Sequence, residues 1–144
     1  MIREPIYEAL FALLANAAGF ATASRRLRHW SDVAAMEQPA LFLAQKSETA
    51  EQQRGLPTKW SYDVDLYLYC HAPDEVTAPS TVLNPLLDAV EAALAPLGGA
   101  DIAANTQTLG GLAYRAWING KIETDEGTLG GQSVAIVPIR ITVP

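Results

Sequence analysis

The sequence predicts an α+β fold: a mainly antiparallel β-sheet of about four to five strands with two α-helices packed on one face. The first observation behind this is Lys59–His71, KWSYDVDLYLYCH, the longest run of clean alternation in the chain. Trp60, Tyr62, Val64, Leu66, Leu68 and Cys70 fall on one side. Ser61, Asp63, Asp65, Tyr67, Tyr69 and His71 fall on the other. Successive side chains of a strand point to opposite faces, so this run has one oily face and one polar-aromatic face. The second observation is a pair of segments, about 6–17 and 82–95, whose apolar residues recur with helical spacing and can roof the oily face. The third is a set of shorter alternating or apolar runs, at 40–45, 112–118 and 132–143, that complete the sheet.

The elements follow in order. Pro5 suits a first helical turn, where its missing N–H matters least. Ile6, Leu10, Leu13, Leu14 and Ala17 then trace one face, and Gly19 provides a stop. Residues 22–30, TASRRLRHW, are expected to form a short edge strand with Ala23, Arg25, Leu27 and His29 on one side. Its basic cluster, Arg25, Arg26, Arg28 and His29, has two readings: a solvated edge that discourages stray strand pairing, or a contact to an acidic surface such as an identical subunit. Residues 31–38 form a loop. ALFLAQ at 40–45 is mostly apolar and suits a strand buried on both faces. KSETAEQQRGLP at 46–57 is expected to be the long tip of a hairpin that leads into Lys59–His71, either mobile or ordered on a partner.

Residues 72–80 form a Pro-containing turn. The second helix is expected from Val82 or Asn84 to Ala95, with Pro85 at its first position and Pro96, Gly98 and Gly99 ending it. Residues 97–111 are small and irregular. LAYRAWI at 112–118 alternates, with Leu112, Tyr114, Ala116 and Ile118 against Ala113, Arg115 and Trp117. Asn119-Gly120 is a turn signal; residues 121–124 resume the strand after a bulge or begin a short new one, and 125–131 connect loosely to the last strand, 132–143. Pro138 removes a ladder donor, which predicts that this strand lies at an edge or bulges there.

The 144 residues fit one domain. Acidic residues outnumber basic ones by 16 to 10, which argues against free nucleic acid as the main ligand, because such binding rests on neutralising phosphates. Cys70 is the only cysteine, so no internal disulfide forms and a reducing compartment is expected. The N-terminal stretch, interrupted by Pro5 and Glu8, is read as a folded helix rather than a signal peptide. No apolar run reaches the ~18 residues of a membrane span.

No phosphate loop, HExxH, GxSxG or CxxC pattern is present, and no enzyme activity, cofactor or metal is expected. Cys70 and His71 point to opposite faces, which makes Cys70 a buried structural thiol rather than a nucleophile. Asp63 and Asp65 share a face, ~7 Å apart by two strand rises. That spacing could hold a cation or serve two-carboxylate hydrolysis, with Tyr67 and Tyr69 beside it. The other reading is a solvated or subunit-facing sheet surface. Glu123, Asp125 and Glu126 lack the ligand order of a calcium loop and form a hydrated turn.

The order of elements resembles a family. A leading amphipathic helix, QPALFLAQ, a polar loop, the KWSYDVDLYLYCHAP strand, a helix ending in ALAPLGG, and the pair LAYRAWINGKIETDEG and QSVAIVPIRITV are together similar to the tail terminator (tail completion) proteins of long-tailed bacteriophages and prophages, of the lambda type. The likeness is one of layout over nearly the whole chain and carries no signature motif. The RRLRH cluster and the Gly-rich turns depart from it. The resemblance implies a structural virion protein of the tail neck, assembled in the host bacterial cytoplasm. It implies a homo-oligomeric ring, a hexamer, that caps the tail tube, ends polymerisation of the tube protein and offers the surface that joins the head through connector or neck proteins. DNA passes through the bore without specific binding, which an acidic wall favours by repulsion; no membrane is involved. Residues expected at subunit or partner interfaces are Arg25, Arg26, Arg28, Asp63, Asp65, Tyr67 and Tyr69. A head-closure or tube protein, or a small hydrolase using Asp63 and Asp65, are the alternatives.

Overall fold

The computed structural model describes residues 3–96, 106–128 and 130–144. Helix α1 (Arg3–Ala15) is followed by strands β1 (Thr22–Ser24), β2 (Ala40–Glu51) and β3 (Lys59–His71), helix α2 (Ser80–Leu94), and strands β4 (Arg115–Ile118), β5 (Glu123–Gly127) and β6 (Gly130–Val143). The strands make one six-stranded sheet in the order β1-β2-β3-β6-β4, with β5 also paired to β6. All pairs are antiparallel except β1 with β2. The α+β class with both helices on one face stands, with one strand more than expected because 123–127 forms a strand of its own.

The alternation of β3 organises the core. Tyr62, Val64, Leu66 and Leu68 are wholly buried. They pack with Ile6, Tyr7, Leu10 and Leu14 of α1, and with Leu83, Leu86, Val90 and Leu94 of α2. Burying a side chain of this size contributes about 1.5–3 kcal/mol, which is why two amphipathic helices settle on the same face. A smaller cluster forms on the opposite, outer face. There Val33 from the loop 25–39 covers Ala40, Phe42 and Tyr69, with Trp30 and Tyr67 at its margin. The start of β2 is therefore buried on both faces, as its apolar run predicts.

Several boundaries differ from expectation. Residues 46–51 are strand: β2 continues to Glu51, paired with β3 as far as Lys59, with an irregularity between Gln45 and Ser47. This half of β2 lies at the sheet edge with its own side chains mostly exposed, so no apolar face marks it; the backbone ladder to β3 holds it, and only 52–58 remain as the connection. Helix α1 begins at Arg3, earlier than Ile6, and α2 begins at Ser80. Pro85 consequently lies inside α2 and removes one rung of its ladder on the exposed side. Strand β1 ends at Ser24, after which the chain leaves the sheet edge through 3₁₀ turns at Trp30–Asp32 and Ala35–Glu37. The pull comes from Trp30 and Val33 packing over Phe42 and Tyr69. The alternation expected over 112–118 holds only within β4. Before it, Leu112 and Tyr114 are exposed and Ala113 is buried.

Pro138 lies neither at an edge nor at a bulge. Strand β6 pairs with β3 along its length. On its other side β4 takes Ile139–Thr142 and β5 takes Val134–Ile136. Pro138 falls in the break between them, and its carbonyl accepts the N–H of Asn119 at 3.0 Å. The N and C=O of one residue in an antiparallel strand point to the same side. The missing donor therefore faces the break, and β6 stays central. The β5–β6 connection is a tight hairpin and not a loose one: Gly127 pairs with Gly130, and both occupy the left-handed region (φ +87° and +68°) that the turn requires.

Candidate interaction surfaces

The polar face of β3 and its neighbours form the outer surface of the sheet. Asp63 is matched by Arg140 across the β3–β6 pair: Nε donates to Oδ1 at 2.9 Å and Nη2 to Oδ2 at 3.2 Å. That bidentate bond raises the Arg140 guanidinium above its ordinary value. Asp65 lies 3.8 Å from Lys46 Nζ. Both carboxylates open onto a shallow cavity of about 210 Å³ that Asn119 and Pro138 also line. Each has its own cation, so the two serve as members of separate ion pairs. Tyr67 is half-buried beside them. Tyr69 is not available to a partner: it is buried under the loop 25–39, its hydroxyl donates to the Arg28 carbonyl at 2.7 Å, and burial followed by the neighbouring Tyr67 pushes its pKa up to about 12.

The basic cluster divides into two latches and a free cation. Arg25 donates to both carboxylate oxygens of Glu4 at 2.8 Å and to Gln45 Oε1 at 3.2 Å, tying α1 to β2. Arg28 donates to the Asp32 carbonyl at 2.6 Å and to Glu37 at 3.0 Å, closing the loop 25–39. The backbone N–H of Ala34 and then Arg28 hold the Glu37 carboxyl below its usual range. Arg26 is exposed, and its side chain has no hydrogen bond or ion pair among the described residues. His29 Nδ1 accepts from Ser31 N–H and caps the first 3₁₀ turn.

A cluster that the sequence reading missed fastens α1 to the far half of β2. Arg3 Nε and Tyr7 OH each donate to Glu48 at 2.7 Å. Tyr7 stacks on Tyr62 with ring centroids 5.2 Å apart, and Arg3 lies over Trp60. Burial pushes the Glu48 carboxyl up, but the bonds from Arg3 and Tyr7 outweigh it and leave the pKa below 4.5. Glu48 pairs with Tyr62 in register and so faces the helices. Its place was hidden because the irregularity at Lys46 shifts the phase of the alternation.

Cys70 is buried with Sγ 3.0 Å from Ser133 Oγ, and burial pushes its thiol up. His71 lies on the exposed side of β3. It borders a hollow of about 600 Å³ beneath the loop 72–79. In that loop Asp74 is engaged by the N–H groups of Val76 and Thr77. Among the described residues no group of three or more metal-ligating side chains comes together, and no helix is long and apolar enough to cross a membrane.

The sheet edges are the remaining surfaces. Strand β1 covers β2 only at Ala40–Phe42, so the rest of β2 has no strand on its outer side among the described residues. Strand β5 likewise has no strand on its outer side among the described residues. The edge of β4 differs, because Gln107 C=O accepts the Ala116 N–H there at 2.9 Å. No family model matches the chain, and no curated protein matches it in sequence.

Proposed function

We propose that this chain is a structural subunit of a long-tailed phage or prophage, of the tail terminator kind. Copies form a ring, a hexamer, on the last ring of the tail tube. The ring ends polymerisation of the tube protein and presents the surface that head-proximal neck proteins join, and DNA passes through its bore without specific contact. The observation that carries this reading is the one-sided build of the sheet. Both helices cover one face, while the other face stays half-exposed with its carboxylates neutralised in place, and the far half of β2 leaves its outer backbone edge without a strand among the described residues. Such a build spends its residues on docking surfaces. The ion pairs of Asp63 and Asp65 and the burial of Cys70 support a structural role over hydrolysis or thiol chemistry.

The test is assembly. Purified protein is examined by light scattering and negative-stain imaging, alone and mixed with tail tubes. Closed rings that seat on tube ends and stop their growth are the expected result. Long filaments from the protein alone would make it a tube protein instead, and a monomer that ignores tubes would overturn the reading.

A further inference from the structure

Resting on the ring reading above, we infer that neighbouring copies join by sheet extension: β5 of one copy adds antiparallel to the open edge of β2 in the next. Both edges present backbone N–H and C=O groups without a partner strand among the described residues, and an unpaired strand edge is a template for another strand.

Strand direction fits. β2–β3, β3–β6 and β5–β6 are all antiparallel, so β2 and β6 run one way and β3 and β5 the other. Copies related by rotation about a ring axis keep the same sheet face and the same strand direction at the join. β5 beside the next β2 is then antiparallel, and the alternation continues through the contact. The contact is head-to-tail, the kind that closes into rings.

The stagger of the two edges also fits. Asp125 is level with Val134, which is level with Tyr69. The open part of β2 centres on Ser47, which is level with Asp63. From Asp63 to Tyr69 along β3 is roughly 20 Å at the usual rise per residue. One repeat of β2, β3, β6 and β5 spans ~19 Å across at the usual strand spacing. A displacement of that size per repeat corresponds to strands tilted by ~45°, at the upper end of the range for closed barrels. Two edges that would miss each other around an untilted ring meet when the sheet closes as a barrel of tilted strands.

Charge favours the same pairing. Glu123, Asp125 and Glu126 are all exposed on β5. Glu123 and Asp125 pair with Ile136 and Val134, which places them on the outer face of the sheet. Lys46, drawn to Asp65, points to that same face beside the open edge, and Arg26, where β1 ends, has no side-chain partner among the described residues. Glu48, the acidic residue in the middle of the edge, is already neutralised by Arg3; Glu51, near the tip, opposes the trend.

Copies of the full chain carrying Ser47→Cys are mixed with copies carrying Asp125→Cys, oxidised mildly, and followed by non-reducing electrophoresis and negative-stain imaging of the same sample. Cys70 is buried and stays in place. The expected result is covalent dimers in the mixture at about tenfold the yield of a control pairing Ser47→Cys with Ala92→Cys on the exposed side of α2, because disulfides form only between closely apposed Cβ atoms. Rings that form without this cross-link would overturn the edge contact and leave the ring reading intact. Cross-links within filaments would keep the contact and remove the terminator reading. In addition, Lys46→Glu should weaken association about tenfold, ~1.4 kcal/mol, and the combined Lys46→Glu, Asp125→Lys chain should recover it. A combined variant as weak as Lys46→Glu alone would count against the pairing.

Discussion

At Glu48 three side chains converge that lie far apart in the sequence, and the carboxylate is held between a cation and a phenol at 2.7 Å each. Its pKa in the folded chain lies below the ordinary 4.5. A depressed carboxylate stabilises the fold fully above its unfolded value and loses that contribution as pH falls through the folded one. Glu37 and Asp74, depressed by backbone N–H bonds first, act in the same direction. The melting temperature should therefore be level above pH about 5 and fall steadily below about 4.5. Glu48→Gln should melt lower at neutral pH and show a shallower acid slope; an unchanged slope would remove Glu48 from the account. Arg3, Tyr7 and Glu48 were each readable as polar or amphipathic residues. Their meeting was not, because it depends on where α1 lies across the ribbon.

Among the elements, β3 and β6 show what period-2 patterning conveys. The inner face of β3 was legible residue by residue, since a strand buried on one face must alternate. Leu66→Ala should cost about 2–5 kcal/mol in denaturant unfolding, the usual loss for a fully buried leucine. Pro138→Ala should change stability by no more than ~1 kcal/mol, the size of the unfolded-chain entropy term, because the absent N–H faces the break between β4 and β5. Stabilisation well beyond that would mean a ladder bond had been missing. Patterning was silent wherever both faces are wet. Residues 46–51 are strand without an apolar face, and 123–127 form a strand whose five residues are all exposed. Their state is set by the partner strand, which local composition does not reveal.

For the whole molecule, charge is arranged by the fold rather than by the run of residues. Arg25, Arg26 and Arg28 look alike in sequence, yet Arg25 and Arg28 are ion-paired within the chain and only Arg26 is left exposed without a partner among the described residues. Arg26→Glu should leave unfolding within ~0.5 kcal/mol of the parent while weakening ring formation, measured as the concentration at which light scattering reports half-assembly. Arg28→Glu should instead destabilise the folded chain, because it places a second acid beside Glu37. Equal effects on assembly and folding from both variants would show that Arg26 has no separate docking role. Asp63 and Asp65 likewise share a face, as their spacing required, but the cation beside each comes from another strand or from the β2 irregularity.

Sequence alone determined the α+β class, the buried face of β3, the two helices that cover it and the burial of Cys70, because each follows from the short-range periodicity of burial along one segment. The tertiary structure alone decided how far β2 extends, why Pro138 is tolerated in a central strand, which arginine stays free and which strand edges stay open. Those depend on register and on partners from distant parts of the chain, and local periodicity carries no record of either.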